Sequence, residues 1–233
     1  MNYLYQKQTK KNMKKTAIIL GATGLTGSHL LELLLKDSEY ERVKVFTRKK
    51  LLISHPKIEE HVIDLLKLSE YAKEFRADVV FCCIGTTKAK TPDKALYRAI
   101  DYGIPVAAAK LCKKNSIKQF IVISALGANP KSKVLYSQLK GEMERDVIAQ
   151  QIKHTHFLQP SLIVGDRKEK RTGEDFSKKF MKLFGVLIPA RYKMIQAKTI
   201  AEAMVQLAHK PSDEHVIPSE EIKTIAAELK VKN

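Results

Sequence analysis

Three glycines spaced three residues apart connect two apolar segments near the start of this 233-residue chain. They lie in the stretch IILGATGLTGSHLLELLL, residues 18–35. A strand that turns sharply into a helix needs glycines at such a spacing if a phosphate is to approach the first N–H groups of the helix. The pattern predicts a dinucleotide-binding turn, with a purely structural turn as the alternative. The residues assigned to the cofactor here are Gly21, Thr23, Gly24, Leu25 and Gly27.

Apolar runs of strand length recur along the chain and alternate with helix-like segments. The runs occupy residues 17–20, 43–46, 61–63, 79–84, 120–123 and 155–158. Short continuous apolar strands that alternate with helices are typical of a parallel sheet buried on both sides. We therefore predict an α/β protein with a Rossmann-type doubly wound parallel sheet, helices on both faces and a small C-terminal substrate-side appendage.

The length favours a single domain, because 233 residues stay below the size at which one hydrophobic core stops growing. Residues 1–14 are predicted to be a basic, disordered tail, since residues 1–15 contain five lysines and no acidic residue. Residues 15–233 are predicted to form one NAD(P)-binding Rossmann domain. Within it, the less regular residues 162–197 are predicted to be the substrate-side appendage.

The composition excludes several classes of protein. The formal net charge is +17, but aromatic residues make up only 7% of the chain and are not interleaved with basic ones, so no specific nucleic-acid partner is expected. The three cysteines have no C-x-x-C spacing, so the sequence predicts neither a metal site nor a disulfide framework. No apolar stretch is long enough to span a membrane and the N-terminus is basic and polar, so a cytoplasmic location is expected.

The end of the second predicted strand indicates which dinucleotide is bound. The segment VKVFTRKK, residues 43–50, contains no acidic residue that could accept from the ribose hydroxyls of NAD. Instead, Arg48 beside Thr47 offers a guanidinium that fits a 2′-phosphate, which predicts NADPH over NADH, with a solvated basic loop as the alternative. After the third strand, Asp64 is predicted either to meet the adenine edge or to cap a helix.

A Tyr-x-x-x-Lys pair opens a long amphipathic helix after the fifth predicted strand. At this spacing Tyr136 and Lys140 share one helix face, so that the ammonium group can stabilise a phenolate. Ser124 ends the preceding apolar strand, at the edge of the sheet where ligands of such folds bind. The context predicts a catalytic set of Ser124, Tyr136 and Lys140, with a surface Tyr–Lys pair as the alternative.

Six segments within residues 15–175 carry a family resemblance: GATGLTG, FTRKK, FCCIGTT, FIVISALGA, YSQLKGEMERDV and LQPSLIVGDRKEKRTGE. Together they resemble the atypical short-chain dehydrogenase/reductases, in particular the Tat-interacting-protein-like NADPH-binding branch. The resemblance implies a Rossmann fold and NADPH bound by the glycine turn and Arg48. It also implies that the cofactor is lined by Gly85, Thr86 and Thr87 and is touched by Tyr136 and Lys140. Two positions depart from it, because Leu20 and Gln159 stand where threonine and arginine are frequent.

The resemblance also implies a chemistry, in which hydride passes between nicotinamide C4 and a substrate carbonyl. Tyr136 would supply the proton, Ser124 would hold the carbonyl oxygen, and Lys140 would bond the nicotinamide ribose. The first hypothesis is therefore an NADPH-dependent oxidoreductase that reduces a carbonyl-type small molecule, as a monomer or a homodimer. A non-catalytic NADPH-responsive regulatory protein is the second hypothesis, and a basic nucleic-acid or phospho-ligand binder is the third.

Overall fold

A parallel β-sheet of seven strands forms the centre of the molecule. The computed structural model describes residues 14–165 and 189–231. The strands of the sheet are β1 (Lys15–Leu20), β2 (Tyr40–Thr47), β3 (Ile58–Val62), β4 (Val79–Cys82), β5 (Gln119–Ile123), β6 (His154–Gln159) and β9 (Val216–Pro218). Their order is β3-β2-β1-β4-β5-β6-β9. Two short strands, β7 (Ile163–Val164) and β8 (Ile195–Gln196), pair with each other beside it.

In residues 14–165 and 189–231, six α-helices and three 3₁₀ or π-helical turns connect these strands. The helices are α1 (Leu25–Lys36), α2 (Lys94–Arg98), α3 (Ile104–Lys114), α4 (Leu135–Ile148), α5 (Ala197–His209) and α6 (Ser219–Val231). The 3₁₀ turns are Leu65–Tyr71 and Ala190–Tyr192, and a π-helical turn, Ala99–Gly103, joins α2 to α3. Within the described ranges, no helix combines the length and the apolar character that crossing a bilayer would require.

The strands are apolar on both sides because helices cover both faces of the sheet. In β1, Ala17 and Ile19 pack with α1, α5 and α6, whereas Ile18 and Leu20 point to the opposite core. That second core is formed with α3, α4 and the 3₁₀ turn after β3. The predicted doubly wound Rossmann-type sheet with helices on both faces is confirmed.

The strand order reverses between β1 and β4. From β1 the chain builds β2 and β3 to one side, and it then crosses over to build β4, β5 and β6 on the other. Adjacent crossovers that leave in opposite directions open a crevice at the carboxyl ends of the strands, and ligands of such sheets bind there. The loops after β1, β4, β5 and β6 are therefore the ones that can form a site.

Parts of the predicted domain organisation lie outside the described residues. These parts are residues 1–13 of the predicted tail and residues 166–188 of the predicted appendage. In the described part of the appendage, β7 and β8 pair, and Ile195 of β8 is buried in the core under α5. This segment is thus attached directly to the main domain.

Candidate functional site

A cavity of about 730 Å³ opens at the carboxyl ends of β1, β4, β5 and β6. It lies at the point where the strand order reverses. The predicted site residues that line it are Gly24, Leu25, Gly85, Thr86, Thr87, Ser124, Tyr136 and Lys140. The structure therefore brings the predicted catalytic set together with part of the predicted cofactor set.

The glycine turn shapes one end of this cavity. Gly21 has a φ of +87°, and a Cβ atom there would lie 2.9 Å from the carbonyl oxygen of Cys83, so a larger residue would clash with the backbone that follows β4. A Cβ atom on Gly27 would run into the backbone of Gly21, so only glycine lets α1 pack this closely on the turn. Gly24 precedes α1 without a side-chain cap, and the first turn of α1 contains no acidic residue. The first N–H groups of α1 are thus left to a ligand.

The end of β2 carries positive charge outside the cavity lining. Arg48 is exposed, and within residues 14–165 and 189–231 its guanidinium forms no ion pair or hydrogen bond. The hydroxyl of Thr47 donates to the carbonyl oxygen of Lys49 at 3.0 Å and so folds the backbone tightly around Arg48. The nearby carboxyl of Glu60 accepts from the backbone N–H of Leu51. This arrangement leaves the Arg48 charge available to an anion.

Asp64 caps a helical turn. Its carboxylate accepts from the backbone N–H of Leu66 at 3.0 Å, at the start of the 3₁₀ turn after β3. Of the two roles predicted for Asp64, the structure contains the cap, and the contact to adenine stays a prediction. Thr23 is exposed between the glycines, and it lies outside the cavity lining together with Gly21, Gly27, Arg48 and Asp64.

The three predicted catalytic residues differ in their exposure. Tyr136, in the first turn of α4, is 41% exposed, whereas Lys140, one turn later, is 2% exposed. The ammonium of Lys140 donates to the carbonyl oxygen of Ile123 at 3.4 Å and lies 3.3 Å from the Asp101 carboxylate. The hydroxyl oxygen of Ser124 is buried and has no hydrogen bond of ordinary geometry among the described residues.

Two carboxyl groups next to this set were missed by the sequence reasoning. Asp101 lies in the π-helical turn and contacts Lys140, and Glu144 follows Lys140 by one turn of α4. Burial raises the pKa of Glu144, although the Ser124 hydroxyl, the Gln159 amide and the Lys140 ammonium oppose that effect. The amide nitrogen of Gln159 donates to both oxygens of Glu144, at 2.9 and 3.2 Å. Gln159 therefore serves as a neutral partner for a partly buried carboxyl.

Glu144→Gln should stabilise the protein at neutral pH. Because the folded state raises the pKa of Glu144, stability falls as the pH rises through and above the usual carboxyl range, where the buried anion forms. A glutamine stays neutral at every pH, so we expect Tm to increase by about 2–4 °C at neutral pH. This is the effect of about 1 kcal/mol of stability in a domain of this size. In acid, where Glu144 is itself protonated, the Tm of the variant should equal that of the wild type. Thermal melts over a pH series measure the difference.

Glu142→Gln is the matched control for this prediction, with the opposite sign. The guanidinium of Arg98 donates to Glu142 at 2.6 Å and lowers the pKa of that carboxyl. This variant should therefore be less stable than the wild type at neutral pH, and the two should converge in acid. A Glu144→Gln protein that melts below the wild type at neutral pH would contradict the role assigned to burial.

Comparison with known proteins shows what this chain is similar to. A family described as NAD(P)H-binding matches residues 21–211. The protein HTATIP2 of Rattus norvegicus is 35% identical over 174 residues, which cover 73% of this chain and 72% of the rat protein. The mitochondrial protein FMP52 of Debaryomyces hansenii is 30% identical over 201 residues, covering 84% and 88% of the two chains.

Solved structures agree on the fold. The UDP-glucose 4-epimerase of Thermus thermophilus in complex with NAD has a TM-score of 0.67 and 18% identity, and the match covers 91% of this chain and 82% of the epimerase. The UDP-glucose 4-epimerase of Thermotoga maritima has the same TM-score at 15% identity, with the same coverage. At such identities the likeness concerns the fold alone, and it is to Rossmann-type NAD-binding enzymes.

These comparisons confirm one sequence-based prediction and correct another. The resemblance to Tat-interacting-protein-like, short-chain dehydrogenase/reductase-type proteins is confirmed by the match to HTATIP2 and by the epimerase folds. The expectation of a cytoplasmic protein is wrong by the same comparison, because several relatives are named as mitochondrial. A basic and polar N-terminus without an apolar core, which excluded a secretory signal, carries no information against that organelle.

Proposed function

This chain belongs to the NAD(P)H-binding family, and on that premise we propose that it is an NADPH-dependent oxidoreductase of the atypical short-chain dehydrogenase/reductase type. Its substrate would be a small molecule with a carbonyl group. One observation carries the proposal. The N-terminus of α1 and the set of Ser124, Tyr136 and Lys140 face the same cavity, so a bound dinucleotide and a reacting carbonyl can meet there.

The residues present fit a nicotinamide dinucleotide. The uncapped first turn of α1 offers backbone N–H groups to a pyrophosphate, and the glycines allow it to come close. Lys140 lines the same cavity and presents an ammonium from a buried position, where it can bond ribose hydroxyls. Residues 85–87, in the loop after β4, also line this cavity.

Each member of the catalytic set would have a different task. When bound, NADPH supplies the hydride. Tyr136, half exposed in the cavity wall, donates a proton from its hydroxyl to the carbonyl oxygen, and the Lys140 ammonium stabilises the phenolate that remains. Ser124, which lines the same cavity, would orient the carbonyl oxygen.

The preference for NADPH over NADH rests on the end of β2. The 2′-phosphate of NADPH would meet the Arg48 guanidinium there. The segment of residues 43–50 contains no carboxylate that would accept from the ribose hydroxyls of NADH. We expect Arg48→Ala to weaken NADPH binding by about tenfold to a hundredfold, the value of a charge-assisted contact, and to leave NADH binding unchanged. Titration of each cofactor by isothermal calorimetry tests this.

The same substitution at Arg42 provides the control for Arg48. Arg42 lies on β2 as well, but its guanidinium is 3.5 Å from the Glu59 carboxylate, so it is already paired. Arg42→Ala removes one positive charge without touching the predicted phosphate site, and both cofactors should bind as in the wild type. Equal dissociation constants of NADPH and NADH in the unaltered protein would refute the preference.

A regulatory protein that binds NADPH without turnover is the second candidate. Two observations favour it: the names HTATIP2 and FMP52 state no reaction, and the Ser124 hydroxyl is buried. Oxidation of NADPH in the presence of aldehydes, ketones and quinones separates the two candidates. Consumption of NADPH that depends on one of these compounds supports the oxidoreductase, and tight NADPH binding with no consumption across the panel supports the regulator.

A further inference from the structure

Asp101 is a buried carboxylate in an unusual piece of backbone. It lies in the π-helical turn Ala99–Gly103, between α2 and α3, and only 1% of its surface is exposed. Such turns insert one extra residue into a helix and often lie at functional sites. This one places an acidic side chain against the floor of the cavity.

The two carboxylate oxygens of Asp101 face different parts of the site. Oδ2 accepts from the backbone N–H of Thr86 at 2.8 Å, in the loop after β4. Oδ1 lies 3.3 Å from the Nζ atom of Lys140, on α4. One side chain thus connects the loop that is assigned to the cofactor with the lysine that is assigned to its ribose.

Lys140 depends on this contact because it is buried too. A buried ammonium that loses its counter-charge is costly, whereas removal of both partners of a buried ion pair is often tolerated. Glu144 is a second carboxyl that acts on Lys140, but its hydrogen bonds go to Gln159, and no ion pair joins it to Lys140 in the described structure. Asp101 is therefore the charged group that compensates Lys140, through an ionic contact and not through a hydrogen bond.

We propose that Asp101 is a positioning residue that couples the loop of residues 85–87 to Lys140, so that NADPH meets both in the arrangement it requires. The proposal rests on the function proposed above only in taking NADPH as the ligand. It assigns no chemical step to Asp101. The carboxylate acts on the cofactor through Lys140 and through the Thr86 N–H group.

Asp101→Asn tests this coupling because asparagine has the same shape but one acceptor fewer. If the asparagine oxygen accepts from the N–H of Thr86, the asparagine NH₂ group faces the Lys140 ammonium, and two donors meet. If the amide is turned the other way, its NH₂ group faces the Thr86 N–H, and two donors meet there instead. We expect the NADPH dissociation constant to rise by about tenfold. In a Lys140→Met background, the asparagine can turn its oxygen to Thr86 without opposition, so the same change should not weaken binding further.

The measurement is a double-mutant cycle of NADPH binding, with thermal melts of all four proteins. Both single variants should melt below the wild type, and the double variant should recover part of the loss. Asp146→Asn is the matched control, because Asp146 accepts from the hydroxyl of Tyr102, the neighbour of Asp101, yet touches neither Lys140 nor the loop in the described structure. It should bind NADPH as the wild type does.

Three outcomes would overturn the proposal: wild-type NADPH affinity in Asp101→Asn, a gain in affinity there, or an equal loss in the two backgrounds. If Asp101→Asn does not fold, Asp101→Glu replaces it, since this variant keeps the charge but moves the carboxylate by one methylene. Positioning predicts weaker NADPH binding in it, and unchanged binding would refute the proposal. The double-mutant cycle measures NADPH binding and does not depend on turnover. A protein that binds NADPH but reduces no substrate would therefore refute the proposed oxidoreductase function and leave the test of Asp101 valid.

Discussion

Tyr136→Phe should retain folding and NADPH binding while turnover falls by about 10² to 10⁴, the usual contribution of a general acid. The substitution removes only a hydroxyl from a side chain that is 41% exposed in the cavity wall, so little packing is lost. Without the hydroxyl, no proton can pass from Tyr136 to the carbonyl oxygen, and Lys140 has no phenolate to stabilise. The check is kcat with the best substrate of the carbonyl panel, together with Tm and the NADPH dissociation constant.

Tyr192→Phe is the control for loss of a phenol from the same cavity. Tyr192 also lines it and is 53% exposed, but it lies outside the Tyr-x-x-x-Lys pair. Its replacement should change kcat by less than about tenfold, below the range of general acid catalysis. If Tyr136→Phe turns substrate over at the wild-type rate, the catalytic role assigned to Tyr136 is wrong whatever the fold.

The regulatory alternative predicts a different pattern from the same residues. If the protein only reports NADPH occupancy, Tyr136→Phe has no turnover to lose and should leave every measured property nearly unchanged. Lys140→Met, which deletes a buried ammonium paired with Asp101, should still weaken NADPH binding and lower Tm. The comparison of the two variants therefore tests whether the cavity catalyses a reaction or only binds NADPH.

The fold could be predicted from the sequence because both faces of the sheet are covered. Continuous apolar runs mark strands buried on two sides, and all six runs overlap an observed strand over most of their length. The run at residues 79–84 is longer than its strand, β4, which ends at Cys82. Cys83 and Ile84 line the cavity and also pack against the two cores, and a hydrophobic pattern cannot separate such residues from a buried strand.

The edge of the sheet was harder to predict than its centre. Strand β3 begins at Ile58, three residues before the predicted run, and its sequence IEEHV contains two glutamates. An edge strand pairs on one side only, and charged side chains there prevent pairing with other chains. Glu59 fits this description, because it forms ion pairs with Arg42 and Lys44 of the neighbouring strand. Such charges hide the strand from a search for apolar runs.

That Ser124, Tyr136 and Lys140 line one cavity was predictable in part for geometric reasons. Tyr136 and Lys140 are four residues apart on one helix, and Ser124 directly follows a strand, so local spacing alone places them at one edge of the sheet. Asp101 had no such signal. Its partners, Thr86 and Lys140, are 15 and 39 residues away in the chain, and nothing in the local sequence marked the π-helical turn that directs it toward them.

Gly27→Ala should unfold or severely destabilise the domain, with a loss of about 3 kcal/mol or more and a fall in Tm of about 6–12 °C. A Cβ atom at this position would overlap the carbonyl group of Gly21, and backbone on both sides leaves neither partner free to move away. Helix α1 would have to shift off the turn, which would also displace its first N–H groups from the cavity. We therefore expect NADPH binding to be lost even in molecules that remain folded.

Gly103→Ala is the matched control, because it is the same chemical change at a glycine with space around it. The nearest atom to a Cβ there is the carbonyl oxygen of Arg98, at 3.9 Å, which is ordinary contact. Within a helical segment, alanine is favoured over glycine by up to about 1 kcal/mol, so this variant should be as stable as the wild type or more so. Calorimetric melts and NADPH titrations of both variants provide the check. A Gly27→Ala protein with wild-type Tm and NADPH affinity would mean that α1 does not pack on the glycine turn as described, and the assignment of its N-terminus to the pyrophosphate would fall with it.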